Sequence, residues 1–164
     1  MAWPAARAQS TKPLRLVVPF PPGGSTDILA RAIGAKIGPA LGQTVIIDNK
    51  PGAGGSLGAA EVARADADGN TLLMGHIGTL AVNPALYPKL PYDPVKSFAP
   101  VAWVARVPNI LVVSAKSPFK TLADLVNEAK ARPGQVNFAS PGNGTVAHLT
   151  GEQFQKAAGI KFQH

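Results

Sequence analysis

Two short stretches place glycine, proline and hydroxyl side chains in an order suited to holding an anion. They are Phe20-Pro21-Pro22-Gly23-Gly24-Ser25-Thr26-Asp27 and Ser140-Pro141-Gly142-Asn143-Gly144-Thr145. Each follows an apolar run and leads into a helical pattern. Such a turn aims unpaired backbone N–H groups and the positive end of a helix dipole at one point, so it holds an anion without a lysine. The glycines let a ligand come close to the main chain. Ser25, Thr26, Ser140 and Thr145 add hydroxyls able to donate to a carboxylate. Neither stretch is a nucleotide loop: both lack the Gly-Lys-Ser/Thr ending of a Walker motif, and neither reads Gly-x-Gly-x-x-Gly.

Catalysis has little to draw on. The histidines are His76, His148 and His164, none at metal-ligand spacing from another. His148 falls in the first turn of the helix after the second loop, where it either faces a ligand or serves as a capping or packing residue. Asp27 and Ser25 have no histidine base beside them, and no nucleophile elbow is present. The chain has no Cys, which excludes disulfides, thiolate metal sites and Cys nucleophiles. No catalytic residue, metal or cofactor is therefore expected, and an enzyme using a Gly-rich anion loop is the least favoured reading.

The net charge of +7 comes from scattered Lys and Arg, with no polybasic run and no stacked aromatic set, so no nucleic-acid surface is expected. A mild positive field would help to draw in small anions. No stretch approaches the roughly 20 apolar residues of a membrane span, so direct insertion is not expected. Ala6-Arg7-Ala8 before Gln9 has the small-x-small form of a signal-peptidase site. Residues 1–11 thus read as the remainder of a truncated leader, and the chain as an exported one. Trp3 and Trp103 read as structural.

These groups need a scaffold. Arg15–Pro19, Thr44–Asp48 and Thr71–Met74 read as strands, and Ser25 or Thr26 caps a helix running to about Leu41. Ser56 opens a short Ala-rich helix through Arg64 after Asn49–Gly55, which is either a long connection or a functional loop. The order strand-helix-strand-helix-strand predicts a parallel sheet covered by helices. Asn83–Asp93 reads as Pro-rich and irregular. Beyond it, Val101–Ala105 and Ile110–Val113 read as strands, with Trp103 in the first of them packed in a core. Thr121–Asp124 resembles a capping box opening a helix to about Ala131. Val136–Ala139 is a further strand, Thr145 opens a helix through Ala158, and Lys161–His164 begin a strand. A composition shift near Arg106 divides the chain into 12–105 and 106–164. In open α/β sheets ligands sit at the carboxyl ends of strands, where both Gly-rich loops lie.

Several longer motifs are recognisable in order. Arg15 to Asp27 and Val45 to Gly55 are joined by Asp68–Met74, Asn83–Tyr87 and Gly142–Leu149. Together they resemble the periplasmic receptors of tripartite tricarboxylate transporters, also called Bug-type receptors, from about Lys12 to His164. The resemblance implies an α/β, two-lobed periplasmic binding protein of the Venus-flytrap type. Its interlobe cleft would hold a small carboxylate through main-chain and hydroxyl groups, for delivery to membrane permease components or for sensing. By carry-over, Phe20, Pro21, Gly23, Gly24, Ser25, Thr26 and Asp27 form one jaw, with His76 and Thr79 from the segment after the third strand. Ser140, Gly142, Asn143, Gly144, Thr145 and His148 form the other. Members of the family are nearly twice this length, so the second lobe and the C-terminal return of the first are expected to be incomplete here. A non-functional remnant of such a receptor is the alternative.

Overall fold

β-Branched and leucine-rich runs form the strands of the computed structural model, which describes residues 12–164. Leu14–Val18 (β1), Val45–Asn49 (β2) and Thr71–Leu73 (β3) make a parallel sheet in the order β2-β1-β3. The register pairs Leu16 with both Ile47 and Leu72, and Val18 with Asn49. Alternation along β1 then sorts the two faces. Leu16 and Val18 point to one face, where they pack with Ala30, Met74, Leu29, Ile33, Val45, Ile47 and Leu72. Arg15 projects to the other, where its guanidinium pairs with Asp48 and Glu61.

Helix α1 (Ser25–Leu41) covers the first face and stops where Gly42 turns left-handed at φ 65°. Helix α2 (Ser56–Ala63) contributes Ala59 and Ala60 to a second cluster with Tyr92, Leu73, Leu90 and Phe98. The Pro-rich stretch that follows β3 is more ordered than its composition suggests. A π-type turn over Gly78–Val82 runs into the short helix α3 (Asn83–Leu86).

The chain divides into two compact units, the first ending at Pro100 and the second running Val101–His164. In the second, α4 (Leu122–Ala131) and α5 (Val146–Ala158) accompany two parallel strands, β4 (Val136–Asn137) and β5 (Phe162–Gln163). Leu125, Ala129 and Phe162 form the buried hydrophobic cluster there, with Phe119, Val136, Phe138, Phe154 and Ile160 against them. Thr121 caps α4 as a capping box: its hydroxyl accepts from Asp124 N at 3.2 Å, and Asp124 Oδ2 accepts from Thr121 N at 2.8 Å. Thr121→Ala removes one of those orphan amide partners. It is expected to lower the stability of this unit by about 1 kcal/mol in urea unfolding.

Some expectations need correction. Val101–Ala105 and Ile110–Val113 form no strand among the described residues. Val101, Ile110 and Val112 are each more than three-quarters exposed. Strand propensity is realised only against a hydrogen-bonded neighbour, and nothing described pairs with these runs. Trp103 is likewise 79% exposed rather than packed in a core. Its indole N–H donates to Ala105 O at 3.1 Å, and Arg106 lies 5.7 Å over its ring. The cap of α1 is Gly24, not Ser25 or Thr26. The cleavage-like Ala6-Arg7-Ala8 and Trp3 lie outside the described residues. Among the described residues, no helix is long and apolar enough to cross a membrane.

Candidate functional site

The first Gly-rich loop begins where β1 ends. Pro19 is buried and Phe20 half-buried, while Pro21 to Ser25 are exposed. Gly23 turns the chain at φ 90°, a conformation that strains any residue with a Cβ. Gly24 then takes an extended cap conformation (φ −78°, ψ 168°), and its carbonyl accepts the first intrahelical bond from Ile28 N at 2.9 Å. The amides of Ser25, Thr26 and Asp27 precede that bond, so position alone leaves them without an intrahelical acceptor.

Asp27 explains why a loop with no side-chain cap holds its shape. Its side chain is 4% exposed. Oδ2 accepts from Gly23 N at 2.9 Å and Arg31 Nε at 3.0 Å, and Oδ1 accepts from Asn49 Nδ2 at 3.0 Å. Asn49 Nδ2 also donates to Phe20 O at 3.1 Å, and Asn49 Oδ1 accepts from the Arg31 guanidinium at 3.1 Å. The hydrogen bond from Arg31, followed by those from Gly23 and Asn49, holds the Asp27 carboxyl down at about 2. Its charge is thereby countered by Arg31, so the loop does not repel an anion.

A pH test follows. The folded pKa lies below the ordinary 3.8 of the group, so the contribution is complete above about pH 4 and lost as the pH falls towards about 2. Asp27→Asn is expected to be less stable than the parent at neutral pH and to lack that part of the acid-induced loss. Urea unfolding between pH 7 and pH 2.5 reads both. Parallel curves for the two proteins would remove Asp27 from the account.

Behind the loop stands the segment after β3. The His76 ring meets Phe20 edge-on at 5.0 Å between centroids, and its Nδ1 accepts from Gly78 N at 3.1 Å. Burial pushes the His76 pKa below its usual value, which favours the neutral ring with its proton on Nε2. Thr79 lies behind the loop, not on it. It is fully buried, and its hydroxyl donates to Gly54 O at 3.3 Å. Tyr92 donates to Thr79 O at 2.6 Å, and Asn83 Nδ2 donates to Gly54 O and Ser56 Oγ at 2.9 Å. These bonds pin the turn Gly52–Gly55, whose last residue would, with a Cβ, stand 3.3 Å from Phe20 Cζ. Asn49–Gly55 is thus a backing element and not a bare connection.

The second loop repeats the plan in the second unit. It leaves β4, passes Gly142 and Gly144 at φ 140° and 79°, and ends at Thr145, the cap of α5. Thr145 Oγ1 donates to Gly142 O at 2.7 Å and accepts from His148 N at 3.3 Å, so its hydroxyl is engaged within the loop. Gly144 N donates to His148 Nδ1 at 3.2 Å. The amides of Val146 and Ala147 precede the first intrahelical bond, which Leu149 N makes to Thr145 O at 3.0 Å. Asn143 is exposed, and Ser140 lies 2.8 Å from the His164 ring.

The structure therefore groups Phe20, Pro21, Gly23–Asp27, His76 and Thr79 within the first unit, and Ser140, Gly142–Thr145 and His148 within the second. Arg31, Asn49, Asn83 and His164 join them without having been singled out from sequence. Asn49 had one usable signal: with β1 and β2 adjacent and parallel, the residue ending β2 must lie beside the residue opening the loop.

Comparisons with known proteins bear on the family and on the overall fold. Residues 29–164 match the family described as tripartite tricarboxylate transporter family receptor. Protein BugT of Bordetella pertussis is 41% identical over 156 residues, covering 94% of this chain and 48% of the relative. A UPF0065 protein in the tcbD-tcbE intergenic region of Pseudomonas sp. (strain P51) is 40% identical, covering 94% and 46%. The chain spans about half the length of the curated relatives it matches. Among solved structures, one described as a periplasmic transporter aligns with TM-score 0.89 and 44% identity over 99% of this chain and 53% of the other. R. palustris Rpa4515 with adipate gives 0.90 and 38% over 98% and 52%. MatC from Rhodopseudomonas palustris with bound malate gives 0.77 and 35% over 92% and 52%.

Proposed function

We propose that this chain, which belongs to the tripartite tricarboxylate transporter receptor family, carries two carboxylate-holding loops of an extracytoplasmic solute receptor. Its fold is that of periplasmic binding proteins of this kind over about half their length. The observation that carries the reading is the same device built twice. In each unit a parallel strand ends in a glycine-turned loop whose next helix leaves its first amides without an intrahelical partner. Donors of this type recognise a carboxylate through the main chain and need no cationic side chain.

Phe20, Pro21, Gly23, Gly24, Ser25 and Thr26 would line the first loop, with His76 offering Nε2–H beside Phe20. Asp27 and Thr79 would act from behind, holding the loop in shape. Ser140, Gly142, Asn143, Gly144, Thr145 and His148 would form the second. The adipate and malate of the two Rhodopseudomonas structures indicate the class of guest, a small dicarboxylate. In this reading the protein works in the periplasm, passes its guest to membrane permease components or to a sensor, and catalyses nothing.

Isothermal titration and thermal shift against a panel of mono-, di- and tricarboxylates, with adipate and malate included, test the proposal. Saturable binding of at least one acid with a rise in Tm is expected. No binding across the panel would overturn it.

A further inference from the structure

β4 and β5 are parallel, and pairing Val136 with Phe162 and Asn137 with Gln163 brings Phe138 beside His164 at the carboxyl ends of both strands. Phe138 N donates to Gln163 O at 2.8 Å, which extends the ladder to that point. Two residues later the second Gly-rich loop starts at Ser140. His164 consequently stands against the loop, with Nε2 2.8 Å from Ser140 Oγ. Its ring lies 4.5 Å from that of His148 and 5.4 Å from that of Phe138.

Ser140 has one hydroxyl proton, and its neighbours decide where that proton points. Gly142 N approaches Oγ at 3.3 Å, and Gly142 O is a weak acceptor at 3.3 Å. The His164 contact is the shortest of these, so the tautomer of His164 governs the polarity of the serine. With Nε2 bare, Ser140 donates to the ring and turns lone pairs outward. With the proton on Nε2, the ring donates to Oγ and leaves the serine proton free to point elsewhere. A carboxylate has only acceptors.

We infer that His164 is a positioning residue of the carboxylate site, donating from Nε2 to Ser140 so that Ser140 presents its proton to the guest. It acts through Ser140 and favours guests that only accept hydrogen bonds. The inference rests on the receptor reading, and its test separates the two.

The full chain is titrated with the same panel of mono-, di- and tricarboxylates, adipate and malate included, as wild type, His164→Phe and His164→Gln. The ring nitrogens of His164 are observed by NMR at pH 8 with and without the acid that binds. The expected tautomer is Nε2–H. Phe keeps the ring packing but has no donor, so affinity should fall roughly tenfold with Tm held. Gln carries an amide N–H that can replace Nε2–H, and it should stay within about threefold of wild type. An Nδ1–H tautomer, or a His164→Phe variant that binds as tightly as wild type, overturns the inference while leaving the receptor reading intact. If wild type binds no acid the receptor reading falls and takes with it the role assigned to His164. If His164→Phe does not fold, the tautomer and the Gln variant decide.

Discussion

Gly55→Ala is expected to destabilise the first unit by about 2–5 kcal/mol, a loss of more than about 10 °C in Tm. Two costs coincide at this residue. Its φ of 88° is left-handed, where a Cβ costs roughly 1–2 kcal/mol. The added methyl would also collide with Thr79 Oγ1 and press on Phe20 Cζ and Pro19 Cβ, each 3.3 Å away. Overpacking of that kind costs roughly 1–3 kcal/mol. Thr79 cannot step aside easily, because it is fully buried and bonded to Gly54 and Tyr92. Gly23→Ala is the matched control: φ is 90°, but nothing lies within 4 Å of the new carbon. It should show only the conformational cost. Urea unfolding of both variants compares them, and equal losses would mean that the packing behind Phe20 contributes nothing.

Gly24→Val is expected to weaken binding of the panel acid that the protein holds by at least about tenfold while leaving the fold nearly intact. At φ −78° and ψ 168° the residue is in a conformation open to any side chain, and only Pro21 O at 4.0 Å approaches its missing Cβ. The structural cost is therefore confined to a poorer helix cap, about 1 kcal/mol or less. The functional cost is different in kind. A branched side chain at the cap would stand over the amides of Ser25 and Thr26 and keep a carboxylate from the main chain. Each lost hydrogen bond to a charged group is worth about 1.5–3 kcal/mol, so one is enough for the tenfold effect. Titration calorimetry beside thermal unfolding distinguishes the two. Undiminished affinity would take the first loop out of the site.

Much of this was legible because it is local. Helices α1, α2, α4 and α5 follow from 3.6-residue periodicity and from their stop and cap residues, such as Gly42 and the Thr121–Asp124 box. The sheet of the first unit follows from three apolar runs separated by helices. The two Gly-rich loops stand out because glycine, proline and hydroxyl residues between a strand and a helix leave few other conformations. The family likeness was read from these and the other motifs, and the match over residues 29–164 bears out the family.

What needed the tertiary structure was every statement about pairing between distant residues. Val101–Ala105 and Ile110–Val113 have strand composition, but a strand exists only with a partner, and composition does not say whether one is supplied. Asp27 looked like a group for the guest. The fold surrounds it with Gly23, Arg31 and Asn49, the last brought 22 residues along the chain by the parallel register of β1 and β2. His164 lies 24 positions from Ser140, and only the pairing of β4 with β5 puts them 2.8 Å apart. Short-range order is written in residue type and spacing, whereas which donor meets which acceptor depends on strand order and register, and those emerge when the whole sheet closes.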